Sequence, residues 1–124
     1  MALRQAHAPS AWRPAVYAAF MRERLRPAQD LLSRVQKISA QQPSMIDVGC
    51  GSGGSSKLVL NRFPAGRLVC LDNSPEMLSV AKDDPALNGR ELVSFLGESI
   101  EDHFAKVTTG HLYDLIFANA SLHW

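Results

Sequence analysis

An acidic residue and a run of glycines occupy one short stretch of the chain, and two kinds of ligand chemistry fit it. Read as Gly49-x-Gly51-x-x-Gly54, the stretch satisfies the fingerprint of a loop that holds the pyrophosphate of a nicotinamide dinucleotide. Read as Asp47-x-Gly49-x-Gly51-x-Gly53, it places a carboxylate before three alternate glycines, which suits a different nucleoside ligand. Glycines let the backbone approach a ligand that a side chain would exclude. The pattern therefore predicts a nucleoside site.

Asp47 favours the second interpretation. It lies in the apolar segment Met45–Val48, where an acid is costly unless a partner compensates its charge. A carboxylate beside a pyrophosphate at a helix N-terminus would be repelled. An ammonium group would be attracted to it, directly or through water, and the methionine end of S-adenosylmethionine carries an ammonium and no phosphate. Asp47 therefore favours S-adenosylmethionine over a nicotinamide dinucleotide.

Asp72 supplies a second carboxylate about 20 residues after the loop, at the end of another apolar segment. A carboxylate in this position accepts hydrogen bonds from the ribose hydroxyls of a bound nucleoside. The alternative is that Asp72 caps the helix that begins near Ser74, although Ser74 can fill that role itself. Asp72 therefore predicts an adenine nucleoside without distinguishing the two ligands.

Alternating strands and helices must position these residues. Apolar residues at helical spacing predict a helix over Arg26–Ile38, with Pro27 in its first turn. The following segments predict strands in Met45–Val48, Arg67–Asn73, Glu91–Ser99 and Tyr113–Ser121, and helices in Ser55–Pro64 and Ser74–Asp84. This alternation predicts an α/β fold with a mostly parallel sheet.

Four successive segments carry a resemblance to a known family. "IDVGCGSGGSS", "VCLDNSPEML", "FLGESIED" and "YDLIFANASLHW" are similar, in order and spacing, to the motifs of class I S-adenosylmethionine-dependent methyltransferases. The resemblance covers nearly the whole chain from Trp12 onward. It implies a Rossmann-like fold, a mostly parallel sheet flanked by helices, with S-adenosylmethionine as cofactor and S-adenosylhomocysteine as its product.

The resemblance also assigns residues to the cofactor. The glycine loop lies at the methionine end, Asp72 at the ribose, and the residues after Asp72 at the adenine. The implied cofactor-binding residues are Asp47, Gly49, Cys50, Gly51, Gly53, Asp72, Asn73, Met77, Glu98, Ser99, Ile100 and Asn119. For the adenine amine, Glu98 and the pair Ser99 and Ile100 are alternatives, and Glu98 also fits a solvated charge at a strand end.

Both ends of the chain resemble the family members that esterify the small carboxylate trans-aconitate, through "WRPAVYAAFMRERLRPAQDLLSRV" and "DLIFANASLHW". The implied reaction is in-line transfer of a methyl group to an acceptor carboxylate. Because a carboxylate is already ionised at neutral pH, no general base is needed and no catalytic residue is assigned. Two roles stay open for both Tyr17 and Phe20: part of a lid over the site, or part of the hydrophobic core. The residues implied for acceptor binding are Tyr17, Arg24, Arg26 and His123, with Arg22 as a further cationic candidate.

The remaining titratable residues predict no metal site. The histidines, cysteines and acids do not have the spacing of metal ligands, and we expect His103 and His111 to be solvated. The only two cysteines, Cys50 and Cys70, do not make a disulfide framework, which favours a reducing, cytoplasmic location. The residues near Met1 include arginines and no acids, which is typical of a mitochondrial presequence and makes the mitochondrion the alternative location.

Composition argues against other classes of partner. The 124 residues carry a net charge of +1 and no long run of one sign, which gives no support to nucleic-acid or membrane binding. We predict a flexible tail over residues 1–11 and a methyltransferase domain over 12–124 that is incomplete at its C-terminus. Without a further strand, the apolar Leu115–Ala118 would form a sheet edge that promotes self-association. A non-catalytic nucleoside-binding module is the alternative function.

Overall fold

Helices and strands alternate along the part of the chain that the structure describes, residues 14–106 and 112–119 of a computed structural model. The helices are α1 (Pro14–Ser33), α2 (Gly54–Arg62), α3 (Pro75–Asp83) and α4 (Ile100–Ala105). The strands are β1 (Ser44–Val48), β2 (Arg67–Asp72), β3 (Val93–Gly97) and β4 (Leu115–Ala118). This order confirms the predicted α/β fold.

The strands form one parallel sheet in the order β3-β2-β1-β4. Asp47 in β1 lies opposite Cys70 in β2 on one side and Phe117 in β4 on the other. Because the strands are parallel, the loops after β1 and β2 leave the same edge of the sheet. The chain connects in opposite directions on the two sides of β1, and open α/β sheets bind ligands at such a switch point. The topology therefore predicts a site at the loop after β1.

The two faces of the sheet carry different helices, because successive side chains of a strand point to opposite sides. Met45 and Leu68 pack in the core that includes residues of α1, α2 and α3. Ile46 and Leu71 pack on the other face, with Phe104 of α4 against them. Both faces of β1 are therefore buried, so its one charged side chain has to find its partners within the fold.

The first helix runs through Pro27, where the sequence predicts a helix start. A proline inside a helix lacks the N–H that would bond one turn back, which costs about 3 kcal/mol. Pro27 is exposed, whereas Ala28 and Leu32 on the inner side of the helix are buried in the core. Core packing on this side compensates for the missing hydrogen bond. Both bounds of the predicted helix Arg26–Ile38 are wrong, because α1 begins at Pro14 and ends at Ser33.

The last helix, α4, was not predicted from the sequence. Ser99 is its N-cap and accepts a hydrogen bond from the Asp102 N–H over 3.0 Å. Glu101 and Asp102 lie in the first turn, where acidic residues favour the positive end of a helix. A serine followed by two acids was therefore the available signal. The other strands and helices lie within a residue of the predicted segments or inside them.

Candidate functional site

The loop after β1 uses its glycines in an alternating pattern. Gly49, Gly51 and Gly53 have φ of 73°, 56° and 97°, in the left-handed region that side chains disfavour. Gly54 is the first residue of α2 and is not among the glycines with positive φ. The backbone therefore needs the glycines of the Asp47-x-Gly-x-Gly-x-Gly reading, and the nicotinamide fingerprint that ends at Gly54 is not the pattern that shapes this loop.

Hydrogen bonds to β2 hold this glycine loop, residues 49–53, in place. The N–H groups of Gly49 and Cys50 both donate to the Leu71 carbonyl, over 2.8 and 2.9 Å. The Gly51 N–H donates to Oδ2 of Asp72 over 2.8 Å. The loop is therefore fastened to the neighbouring strand at three successive residues, and Asp72 is one of its anchors.

Asp47 is fully buried two residues before the loop. Its Oδ2 accepts hydrogen bonds from the hydroxyls of Ser55, over 2.6 Å, and Ser56, over 2.8 Å. Its Oδ1 is buried and has no partner among the described residues. Desolvation raises the pKa of Asp47 to about 6, the two hydroxyls oppose this shift, and the charge of Asp72 adds to it. At neutral pH the carboxylate is therefore mostly ionised.

An ionised oxygen without a donor is costly inside a protein, so Oδ1 of Asp47 points to a ligand that donates a hydrogen bond or brings positive charge. The role of Asp47 was predicted from the sequence, whereas that of the serines that orient it was not. Ser55 and Ser56 follow Gly54 and lie in the first turn of α2. Two adjacent hydroxyls at this position were the signal for their role.

Asp72 joins the glycine loop to the turn that begins α3. Its Oδ1 accepts a hydrogen bond from the Ser74 N–H over 2.9 Å, while its Oδ2 holds Gly51. The Ser74 hydroxyl accepts from the Met77 N–H over 3.3 Å, so Ser74 is the helix cap, as the sequence predicts. A carboxylate has about four acceptor positions, so Asp72 keeps capacity for further donors. Its binding to a ribose stays a prediction.

Two of the residues predicted near the adenine adjoin this carboxylate. Asn73 is exposed, and Met77 is 42% exposed on the first turn of α3. The Met77 methyl group would lie 3.5 Å from a Cβ added at Gly51, so this side chain reaches the glycine loop. Asp47, Asp72 and Met77 thus lie around the loop, and their contacts with a cofactor stay predictions.

The predicted cofactor-binding residues after β3 form contacts with other residues of the fold. The Glu98 carboxylate lies 2.7 Å from His103 Nδ1 and forms an ion pair with Lys106. Both contacts lower the pKa of Glu98, and the hydrogen bond from Lys106 contributes most. Ser99 caps α4, and Ile100 packs on the sheet face that α4 covers. Contacts of these residues with an adenine remain predictions.

His103 is not solvated, contrary to the prediction from the sequence. Its side chain is 12% exposed. Its Nδ1 meets Glu98, and its Nε2 lies 2.8 Å from the Tyr113 hydroxyl, just before β4. The unpredicted helix α4 explains the error, because it turns His103 toward the sheet. His111 lies outside the described residues.

The predicted acceptor residues are not all brought together. Arg24 and Arg26 are both exposed on α1, and Arg26 bonds to Glu23 over 2.7 Å. Residues two apart on a helix do not share a side, so the two arginines do not converge. Phe20 is 57% exposed, which does not support a core role. The Tyr17 side chain and His123 lie outside the described part of the chain, and Asn119 follows β4 and is half-buried.

Neither a metal site nor a membrane-spanning helix is found within residues 14–106 and 112–119. No group of three or more histidine, cysteine, aspartate or glutamate side chains there is arranged to hold a metal ion. No helix in these ranges has both the length and the hydrophobicity needed to cross a bilayer.

Comparison with known sequences agrees with the site geometry. A family model described as a methyltransferase domain matches residues 45–124, well over half of the chain. The trans-aconitate 2-methyltransferase of Acidovorax ebreus is 44% identical over 113 residues, which are 91% of this chain and 40% of that protein. The protein of the same name from Escherichia coli O1:K1 is 38% identical over 117 residues, 93% of this chain and 41% of that protein. The chain thus spans about 40% of the length of these curated relatives.

Solved structures share the fold. CalS10, an amino pentose methyltransferase from Micromonospora echinaspora with S-adenosylmethionine bound, has a TM-score of 0.55 at 22% identity, covering 86% of this chain and 42% of its own. Phosphoethanolamine N-methyltransferase 2 from Haemonchus contortus, in complex with S-adenosylmethionine, has a TM-score of 0.57 at 19% identity, covering 74% of this chain and 20% of its own. This likeness confirms the Rossmann-like fold, and the family model adds the membership: the chain belongs to the methyltransferase domain family.

Proposed function

We propose that this chain binds S-adenosylmethionine at the glycine loop and serves the methyl esterification of a small carboxylate. The observation that carries the proposal is the buried Oδ1 of Asp47, an anionic oxygen with no partner among the described residues. The ammonium group of S-adenosylmethionine supplies the positive charge that this oxygen requires, directly or through a water molecule. A dinucleotide pyrophosphate would bring a second negative charge to the same place.

The remaining residues of the loop fit the rest of this ligand. The left-handed backbone at Gly49, Gly51 and Gly53 leaves no side chains on the loop except those of Cys50 and Ser52. Asp72 has acceptor capacity for ribose hydroxyls beside the loop, and the exposed Met77 offers an apolar surface for an adenine ring. These contacts support binding of an adenine nucleoside with an amino acid attached.

The acceptor class comes from the relatives, which are named trans-aconitate 2-methyltransferase. S-adenosylmethionine supplies an electrophilic methyl group when bound. The chain's own part is to bind and orient the two reactants and to exclude water, because an ionised carboxylate gives no proton to a side chain. Tyr17, Asn119 and His123 complete the proposed set on the evidence of the sequence alone.

Calorimetric titration with S-adenosylhomocysteine tests the proposal. We expect micromolar or tighter binding by the parent chain and a loss of at least about tenfold in Asp72→Ala. Asp83→Ala is the matched control, because Asp83 is an exposed carboxylate on the last turn of α3. Binding of NADH in place of S-adenosylhomocysteine would contradict the proposed ligand. Binding without turnover of trans-aconitate would select the alternative, a non-catalytic nucleoside-binding module.

The cell compartment and the association state complete the proposal. Two free, buried thiols support a reducing compartment, and we place the chain in the cytoplasm. Recovery of the tagged chain in an organelle fraction would contradict this placement.

We also propose that copies of the chain associate through β4. This strand forms one edge of the described sheet, and Ile116 on it is 56% exposed. Light scattering at micromolar concentration is expected to show association that Ile116→Lys reduces. Leu31→Lys, on an exposed apolar residue of α1, is the control. A monomeric parent chain would overturn this part of the proposal.

A further inference from the structure

One thioether lies at the surface beside the glycine loop. Met77, on the first turn of α3, is 42% exposed. Its Cε methyl group lies 3.5 Å from the position of a Cβ added at Gly51, so the end of this side chain reaches the loop. The other described methionines and cysteines are half-buried or buried: Met21, Met45, Cys50 and Cys70. Met77 therefore carries the described sulfur that is most open to a solute.

Hydrogen bonds hold the backbone on both sides of this contact. The Met77 N–H donates to the Ser74 hydroxyl over 3.3 Å, and the Ser74 N–H donates to Oδ1 of Asp72 over 2.9 Å. The other carboxylate oxygen of Asp72 accepts from the Gly51 N–H over 2.8 Å. One carboxylate thus joins the start of α3 to the glycine loop. A chemical change on the Met77 side chain therefore takes place beside the loop and stays there.

A thioether needs little from its surroundings in order to be oxidised. Its polarisable sulfur reacts through its own lone pair, and the product is a sulfoxide, which is polar and chiral. No thiolate, general base or second sulfur takes part, so access of the oxidant decides which methionine reacts. The exposure of Met77 meets this requirement, whereas Met45 is 0% exposed.

We propose that Met77 is a reversible oxidation site at the glycine loop, whose reactant is a two-electron oxidant of the peroxide class. The sulfur lone pair attacks one peroxide oxygen, the O–O bond breaks, and an S–O bond forms. The second oxygen leaves as water with both peroxide hydrogens, so the sulfur is oxidised and the peroxide is reduced. A thiol-dependent methionine sulfoxide reductase reverses the change: two thiols become a disulfide, and the sulfoxide oxygen leaves as water.

The effect on the ligand site rests on the proposed function, in which Met77 offers an apolar surface to an adenine ring. The sulfoxide oxygen accepts hydrogen bonds and donates none, so a ring lying over it would strip away its water. The carboxylates nearest in sequence, Asp72 and Glu76, are acceptors when ionised and supply no donor in exchange. Oxidation is therefore expected to weaken binding of the adenine nucleoside.

Peroxide treatment followed by mass spectrometry tests the oxidation site itself. The whole chain is treated with hydrogen peroxide and digested with trypsin, and fragment ions locate the added oxygen. We expect one oxygen on Met77, in peptide 68–82, before Met21 or Met45 is modified, and its removal by the reductase. In urea the three methionines should react at equal rates, because the fold no longer protects two of them. Earlier oxidation of Met21 or Met45 in the folded chain would overturn the site.

Affinity for S-adenosylhomocysteine, measured by calorimetry once the peroxide is removed, tests the effect on the ligand site. In the parent chain we expect the affinity to fall at least about tenfold, a loss that dithiothreitol leaves in place and the reductase reverses. Met77→Leu keeps an apolar side chain of similar size without sulfur, so its affinity, whatever its starting value, should be the same before and after peroxide. Met21→Leu is the matched control and should lose affinity as the parent does. An equal loss in Met77→Leu would overturn control by Met77.

The two measurements separate this inference from the proposed function. If the untreated parent chain binds no S-adenosylhomocysteine, the proposed function fails, while the order of methionine oxidation still decides the oxidation site. If the parent chain binds with unchanged affinity when Met77 carries the oxygen, the effect of oxidation on the ligand site is overturned.

Discussion

Leu87 lies directly against Gly53, so closely that a Cβ added to the glycine would come within 2.6 Å of the Leu87 Cδ1 atom. Leu87 is 1% exposed, and its N–H donates to the Asp84 carbonyl over 2.9 Å. The Asp84 carboxylate bonds to Lys57 of α2 over 2.7 Å. The segment after α3 therefore packs against the glycine loop through Leu87. The same segment bonds through Asp84 to α2, the helix that follows the loop.

Gly53→Ala is expected to destabilise the chain more than Gly89→Ala does. Both glycines have positive φ, 97° and 76°, so both variants carry the backbone cost of about 1 kcal/mol. Gly89 has no atom within 4 Å of an added Cβ, whereas at Gly53 the collision with Leu87 adds about 1–3 kcal/mol. Urea unfolding measures both free energies, and equal losses would show that the Leu87 contact is not tight.

The raised pKa of Asp47 has a consequence for stability. The unfolded chain releases this proton near pH 3.8 and the folded chain near 6, so the unfolded state binds fewer protons in this window. The free energy of unfolding therefore falls as pH rises through the window, by about 3 kcal/mol in all. In the Asp47→Asn variant we expect no such decrease in the free energy of unfolding, because the amide does not titrate. Urea unfolding of both proteins between about pH 4 and pH 7 measures the difference, with the exposed Asp83→Asn as control.

The same carboxyl group links ligand binding to pH. A ligand that brings an ammonium group binds the ionised form, so binding below pH 6 has to release a proton. Affinity for S-adenosylhomocysteine is therefore expected to fall by about tenfold per pH unit below that value, and Asp47→Asn to show no such slope. A parallel slope in the variant would assign the pH dependence to another group.

The features that were predicted most accurately from the sequence are those that depend on residues close together in the chain. The four strands, α2, α3 and the Ser74 cap follow from periodicity and from residues a few positions apart. The glycine loop and its two carboxylates were also readable, because Asp47 stands out within an apolar strand. Local patterns of this kind are where sequence-based inference is most secure.

Errors arose where distant packing decided the outcome. Nothing near Pro27 shows that core burial of α1 compensates for a lost hydrogen bond. Glu98 and Tyr113 lie on either side of His103 in sequence, and only the folding of α4 onto the sheet brings all three together. Such contacts are fixed by topology rather than by spacing.

Glu98→Gln is expected to lower the urea midpoint at neutral pH. The bonds from Lys106 and His103 hold the pKa of Glu98 below its usual 4.5, so they stabilise the fold above that value. This stabilisation is lost as pH falls through the lowered pKa, and the difference between the parent and the variant should disappear in acid. Glu91→Gln, on an exposed residue before β3, is the matched control. A change in S-adenosylhomocysteine affinity with an unchanged midpoint would instead favour the predicted adenine contact.

The arginines of α1 allow a test of how the acceptor carboxylate is held. Residues two apart are about 200° apart around a helix, so Arg24 and Arg26 cannot hold one small carboxylate together. Leu25 lies against Gly54 at the start of α2, with its Cδ atoms 3.2 Å from an added Cβ. Arg22, three residues before Leu25, shares that side of the helix. Arg22 is therefore the cation on α1 best placed toward the loop.

Arg22→Ala is accordingly expected to weaken trans-aconitate binding to the chain loaded with S-adenosylhomocysteine by about tenfold, and more than Arg24→Ala does. Arg26→Ala should have little effect, because its guanidinium is already bonded to Glu23 and is 67% exposed. Calorimetric titration with trans-aconitate measures all three, and unfolding midpoints confirm that the variants stay folded. Equal, unchanged affinities would remove the three arginines of α1 from the acceptor site.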